Sequence, residues 1–412
     1  MLALLFASLA LSASLLVVPT REIVVRPAGP VATLAAALAV AHPGDTITIR
    51  AGTYPTDNVT VRVAGVVIRG EGWPVLDGEG RHAILVIAAA DVTVTGLVLR
   101  GAGVNMTSDQ AAVRVLETTG CRILGNRLEA DFFGIYLQRA HGCRIAGNVI
   151  HGTGGDEAIN GNGIHLWNAT DAAIDSNQVD GHRDGIYLEF SHRVTAVGNR
   201  STRNRRYGLH FMFSDSCVYR DNAFIGNGAG VAVMYSRDVT LDHDLFAEAR
   251  GPSAYGLLLK EIRDSRITAN EFANNTVALY TEGASRNSFL RNEFRSNGWG
   301  VRLLASSDDN RFEGNDFAGN SFDVTTNGRS NTNVFRANRW DRYEGYDLDH
   351  DGTGDVPFRP VRRFALLVEQ HESAILLLRS PFADLLDLAE SVFPVLTPET
   401  LVDSAPIARG SR

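Results

Sequence analysis

Lysine is almost missing from this chain. Of its 39 basic residues only Lys260 is a lysine, and the arginines are scattered instead of forming a stripe. With a net charge of −8 and a pI near 5.8, no electrostatic footprint for nucleic acid exists, and that class of partner is excluded. Beyond the N-terminus no stretch is long and apolar enough to span a bilayer. A Walker A lysine motif is absent, so ATP hydrolysis is not expected of this polypeptide. No compact acid and base motif marks a catalytic centre. Disorder is excluded in turn by 44% hydrophobic and only 21% charged residues, while 40 glycines point to many turns.

The first eighteen residues, MLALLFASLALSASLLVV, are apolar apart from three serines, and Pro19 ends the run. They read as a signal peptide over residues 1–20, although no Lys or Arg precedes the apolar segment. The mature chain is therefore expected outside the cytoplasm.

What fills the rest is a repeat. Asn126, Asn148, Asn177, Asn199, Asn222, Asp244, Asn270, Asn292, Asn315 and Asn338 form one column with steps of 22, 29, 22, 23, 22, 26, 22, 23 and 23. Such a period means a solenoid. The two long steps contain GTGGDEAIN and ARGPS, which read as insertions at a turn. Two residues after the column stand Leu128, Ile150, Val179, Ser201, Phe224, Phe246, Phe272, Phe294, Phe317 and Trp340, nearly all large and apolar. Three residues before it runs another apolar column, from Ile123 to Phe335. Both should stack inward. Asn tolerates a left-handed backbone and its amides can bond from rung to rung, so the column is expected to mark the bend between strands.

Each rung also holds a Gly-led strand: GIYLQ at 134, GIHLW at 163, GIYLE at 185, GLHFM at 208, GVAVM at 230, GLLLK at 256 and GVRLL at 300. Their strict alternation turns positions one and three inward and positions two and four to solvent. Three short strands per rung of about 22 residues define an all-β, right-handed parallel β-helix. It is expected over 21–340, with a capping helix within 31–41. The segment 341–412 is expected to be turn-rich and then to form two short helices broken at Pro381, as a cap or docking element, with an extended tail after Leu396.

The outward positions carry the chemistry. Position two gives the ladder Tyr136, His165, Tyr187, His210, Ala232, Leu258, and position four gives Gln138, Trp167, Glu189, Met212, Met234, Lys260. Beyond the initiator the chain has three methionines, two of them on consecutive rungs beside His210. Thioethers with an imidazole suit Cu(I), so His210, Met212 and Met234 are the candidate ligands. His165, Trp167, Tyr187 and Glu189 are the candidate binding surface, since aromatic and Met side chains are also what protein interfaces use. His182, Asp184, Glu189, His192, Arg206 and Lys260 would line a groove if the chain were instead a polysaccharide lyase or uronan epimerase.

Two further patterns read as structural. Cys121, Cys143 and Cys217 share one inward position; Cys121 and Cys143 lie on adjacent rungs where an exported protein could oxidise them, but parallel stacking seldom satisfies disulfide torsions, so buried small hydrophobes are the expected role. In YDLDHDGTGDVPF the twelfth loop position is Phe358, where calcium requires a bidentate carboxylate, so a hydrogen-bonded turn is expected and calcium is not.

Three stretches carry a more specific likeness: RRYGLHFMFSDS at 205–216, RWDRYEGYDLDHDGTGDVPFRPV at 339–361 and LLLRSPFADLLDLAESVFPVLTPETLVD at 376–403. Through them residues 31–405 resemble the NosD family, periplasmic β-helix proteins of nitrous oxide reductase maturation. The resemblance implies a non-enzymatic periplasmic subunit that works with an ABC transporter, a cytoplasmic ATPase plus a membrane permease. It further implies a copper-chaperone lipoprotein and nitrous oxide reductase as partners, with contact to the membrane only through the permease. On that likeness the C-terminal helices would meet the permease, and the His/Met face would receive or present copper.

Overall fold

The computed structural model describes residues 21–408 except 106–108, 130–131, 155–159, 329–331 and 394–395. The expected signal peptide lies outside the described residues. Short parallel strands wind into a solenoid of about 13 turns, about 23 residues each, with three long sheets. The first sheet has 14 strands, from Glu22–Val25 to Val334–Arg336. The second has 13, from Thr53–Pro55 to Arg339–Trp340, and the third, which holds the Gly-led strands, has 12, from Val59–Val61 to Phe322–Thr326.

The inward columns do what their chemistry dictates. Phe246, Phe272, Phe294, Phe317 and Trp340 stack face to face at 4.3–4.8 Å, and Phe289, Phe312 and Phe335 do so at 4.4–4.5 Å. Each stacked pair adds roughly 0.5–1.5 kcal/mol beyond area burial, so the ladder holds rungs in register as well as excluding water. One continuous core runs from Ile23 to Leu401. Glycine leads the third-sheet strands because rungs approach closely there: a Cβ on Gly230 would lie 2.3 Å from the Gly256 carbonyl oxygen.

The asparagine column is a hydrogen-bond ladder. Asn126, Asn148, Asn177 and Asn199 each donate an Nδ2 proton to the next Oδ1 at 3.0–3.1 Å. The left-handed residue is not the asparagine, as expected, but the one before it: Gly125, Gly147, Ser176, Gly198 and Asp221 have φ between 53° and 65°. The bend therefore precedes the amide, which is left free to turn into the core and bond. A second ladder, Asn204 to Asn227 and Asn275 to Asn297 to Asn320, runs along the turn between the second and third sheets at 2.9–3.1 Å. It lies five residues after the first and was legible by the same period.

Cys121 and Cys143 are joined in a disulfide with Cα atoms 4.6 Å apart, contrary to the expectation of two thiols. They precede strands Arg122–Leu124 and Arg144–Ala146 and follow Gly120 and Gly142, both at positive φ, so the pleat does not fix their side-chain directions. Cys217 is a buried free thiol, and burial pushes it up to about 11.

Helix α1 (Leu34–Val40), capped by the Thr33 hydroxyl, covers the first rung. At the other end lie α2 (Arg363–Gln370), a 3-10 turn (Glu372–Leu377) and α3 (Pro381–Val392), where Pro381 opens a helix instead of only breaking one. Helix α2 rests on the outer face of the third sheet: Arg302 donates to Glu369 at 2.9 and 3.0 Å, and the Thr325 hydroxyl donates to it at 3.0 Å. In the turn 347–355 the carboxylates accept backbone protons, Asp347 from Gly352 at 3.0 Å and Asp355 from Leu348 at 2.8 Å. The Asp347, Asp349 and Asp351 oxygens lie within 4.8 Å of one another. The tail folds back on the last rung, with bridges from Asp403 to Phe335 and Phe358.

Candidate functional site

Parallel pairing in the third sheet turns sequence repeats into neighbours. Trp167, Glu189, Met212, Met234 and Lys260 are directly paired across successive strands. His210 pairs with Tyr187 on one side and Ala232 on the other. Leu209, Phe211, Val231 and Val233 belong to the core, so His210, Met212 and Met234 share the outer face of two adjacent rungs. The expected grouping is therefore present.

Its exposure differs from expectation. The position-four residues are half-buried, but in the position-two ladder Tyr136, Tyr187 and His210 retain only 4–8% exposure. The rings close on one another: Tyr136 to His165 at 4.5 Å, His165 to Tyr187 at 4.7 Å, Tyr187 to His210 at 5.0 Å and His210 to Tyr207 at 4.7 Å. Phe132 and Phe133 roof the near end. Alternation fixes the direction of a side chain, whereas coverage comes from bulky neighbours at the turns.

Around His210 the polar groups are specific. Arg206 holds fully buried Asp184 through two hydrogen bonds at 2.9 and 2.7 Å, and its Nη2 also stands 3.3 Å from His210 Nδ1. Asp184 Oδ2 is 3.7 Å from the same nitrogen. Burial raises the Asp184 carboxyl, but His210 and Arg206 outweigh it and hold the group below the usual carboxylate range. His210 Nε2 is buried with no hydrogen-bond partner among the described residues. His165 is enclosed by its aromatic neighbours; this burial, aided by the Arg183 charge, pushes its imidazole down to about 3, so it stays neutral. Trp167 carries Arg139 over its ring at 5.0 Å.

The residues proposed for a lyase or epimerase groove do not converge. His182 is fully buried in the second turn ladder, where its backbone N–H donates to Asn204. Asp184 is committed to Arg206, and Lys260 pairs with Glu282 at 3.1 Å. Of that set, Asp184 and Arg206 come together, and they do so beside His210. Sequence reasoning had not paired Asp184 and Arg206 with the histidine, though their place one rung apart, beside the 184–207 register, was the available signal.

The class is a parallel β-helix solenoid that carries a methionine pair and an aromatic-histidine ladder on one outer sheet face. Comparison gives the family. A family profile described as "Periplasmic copper-binding protein (NosD)" matches residues 147–346. Two curated relatives, each named "Probable ABC transporter binding protein NosD", are 30% identical. The one from Pseudomonas aeruginosa aligns over 392 residues, covering 83% of both chains. The one from Stutzerimonas stutzeri aligns over 362 residues, covering 83% of this chain and 82% of its own. The chain belongs to the NosD family.

Among solved structures, an α-1,3-glucanase catalytic unit from Streptomyces thermodiastaticus matches with TM-score 0.58 at 13% identity, covering 74% of this chain and 64% of that one. A family 28 exopolygalacturonase from Yersinia enterocolitica matches with TM-score 0.57 at 12% identity, covering 76% and 78%. At such identities they share the fold alone. No helix among the described residues is long and apolar enough to cross a membrane.

Proposed function

We propose that this chain is a periplasmic, non-enzymatic accessory protein for assembling the copper centre of nitrous oxide reductase, binding Cu(I) at Met212, Met234 and His210 and acting with an ABC transporter. The observation that carries the reading is the pairing of Met212 with Met234 on the outer sheet face, two residues along the strand from a histidine whose Nε2 has no partner among the described residues. Two thioethers and an imidazole make a soft donor set, suited to Cu(I) over harder cations. Arg206 opposes a nearby cation, yet its charge is matched by Asp184. When Nε2 takes the metal, the ring proton belongs on Nδ1, so Arg206 Nη2, now 3.3 Å from that nitrogen, would have to turn aside for Asp184 Oδ2, 3.7 Å away, to close in and accept the proton.

The transporter side of the reading is supported by the C-terminal helices. Leu376, Phe382, Leu385, Val392 and Phe393 are exposed on and around α3, an apolar face of the kind that marks a protein contact. Both relatives carry the name "Probable ABC transporter binding protein NosD". The copper chaperone, the reductase and denitrification as the setting belong to this reading also. A lyase or epimerase reading is the weaker one, because Asp184 is spent on Arg206 and Lys260 on Glu282.

Competition for Cu(I) against bicinchoninate under reducing conditions tests the proposal. The Met212→Ala/Met234→Ala variant is expected to lose at least tenfold in affinity, about 1.4 kcal/mol or more. Full retention of affinity would remove this site.

A further inference from the structure

Three aromatic side chains on the rim of the third sheet serve no need of the fold. Phe190, Phe213 and Tyr235 take the first turn position after strands Asp184–Glu189, Tyr207–Met212 and Ala229–Met234. Their φ values are 51°, 50° and 53°, a left-handed backbone that costs a bulky L-residue energy. Elsewhere the same column is filled by Glu117, Arg139, Asn168, Glu261 and Gly283, so the turn does not ask for an aromatic. Nor does the core gain, since the three remain 43%, 41% and 44% exposed.

Among the described residues they stack only on each other, at 5.2 Å and 12° and then 5.0 Å and 11°. At a spacing close to the rung repeat, the ring normals run along the solenoid axis, and the two stacks take up four of the six ring faces, leaving only the end faces of Phe190 and Tyr235. A sugar held by C–H contacts to an aromatic face would find one only at the two ends of the strip, not along its length. What points outward is a ribbon of ring edges, an apolar strip suited to the side chains of another protein.

We propose that Phe190, Phe213 and Tyr235 form the docking strip for the protein that exchanges Cu(I) with Met212 and Met234. The inference rests on the copper reading above. Phe213 and Tyr235 each follow a methionine directly, so their Cα atoms lie about 3.8 Å away. A carrier that brings its own ligands to the two thioethers must therefore cover this strip. The partner is a protein carrying Cu(I) on surface soft ligands with an apolar surround. Transfer is ligand exchange: a bond from copper to the carrier breaks as one to a methionine sulfur forms. Copper stays Cu(I), and a thioether has no proton to release, so neither an electron nor a proton is needed. The α3 face is a separate surface. Helix α2, which packs against α3, rests on the strand Phe322–Thr326, four rungs or about 19 Å from Met234, so transporter and carrier need not compete.

The test uses the triple variant Phe190→Asn, Phe213→Asn, Tyr235→Asn, whose new residue already occupies this turn position at Asn168. The probe is a purified periplasmic Cu(I) chaperone from the same cell, with immobilised full-length protein as the surface. Wild type and Met212→Ala/Met234→Ala are expected to bind the apo chaperone equally, while the triple variant binds at least tenfold more weakly. Cu(I) affinity against bicinchoninate should stay within twofold of wild type in the triple variant, and transfer from the loaded chaperone should slow at least tenfold. Loss of copper affinity in none of the variants would count against the metal site alone. Equal chaperone binding by wild type and triple variant, or no binding by wild type, overturns the strip. A wild-type dimer that the triple variant turns into a monomer also overturns it, assigning the strip to a second copy of the chain.

Discussion

Replacing Asp403 with alanine is expected to destabilise the C-terminal end of the solenoid by about 3–5 kcal/mol. Every asparagine of the main ladder passes its Nδ2 proton to the next rung, so the last one needs an acceptor that no further rung supplies. Asp403 is that acceptor. Its Oδ2 takes protons from Asn338 N at 3.1 Å, Asn338 Nδ2 at 3.0 Å and Trp340 Nε1 at 3.0 Å, with no exposure to solvent. Alanine would leave three buried donors unsatisfied, each costing about 1–3 kcal/mol. In a solenoid the damage stays near the break, so amide exchange should rise over 334–340 and 353–361 while the first rungs keep their protection. Asp403→Asn retains an acceptor oxygen and should lose much less. Unchanged protection in the alanine variant would show that the tail is not the terminator of the ladder.

The second large effect belongs to Asp244, the one carboxylate in the asparagine column. Its Oδ1 accepts from Asn222 N at 2.8 Å and Nδ2 at 2.9 Å, and its own N–H donates to Asn270 Oδ1 at 2.8 Å. Oδ2 stands where every other member has an amide donor and finds no partner among the described residues. Burial is the main cause that pushes this carboxyl up to about 7, against the hydrogen bonds from Asn222 that lower it. Between an unfolded value near 3.9 and a folded value near 7, the folded chain holds one proton more than the unfolded chain. Stability contributed by this site is therefore complete below about pH 4, falls as pH rises through this window and levels off above about 7. At about 1.4 kcal/mol per pH unit, Asp244→Asn should stabilise the protein at pH 8 by on the order of 4 kcal/mol and change little at pH 4. Paired denaturant titrations of wild type and variant at the two pH values measure it. An equal effect at both would show that Asp244 is not the proton-linked rung.

The fold was legible because solenoid columns are chemically pure. A phenylalanine two residues after each asparagine, from Phe224 to Phe317, leaves little choice of inward face, and the Gly-led strands fix the third sheet. Asp403 was not legible. It lies 65 residues beyond Asn338, outside any period, and its role appears only when the tail returns to the last rung. The disulfide was hidden for a related reason, since two turn backbones, not the strand register, set the directions of Cys121 and Cys143.

The candidate site was half legible. Alternation gave the shared face of His210, Met212 and Met234, but it says nothing about what lies above a side chain. His210 is covered because Tyr187 and Tyr207 flank its ring and Arg206 reaches it from the preceding turn. The Phe190, Phe213 and Tyr235 strip escaped notice because those residues fall one place past the strand, where alternation stops.

X-ray absorption at the copper edge of the Cu(I)-loaded protein tests the central claim most directly. The account predicts a shell containing two sulfur scatterers and one imidazole, with sulfur scattering lost in Met212→Ala/Met234→Ala and imidazole scattering lost in His210→Ala. A shell made only of nitrogen and oxygen, or one that the methionine substitutions leave unchanged, would contradict it.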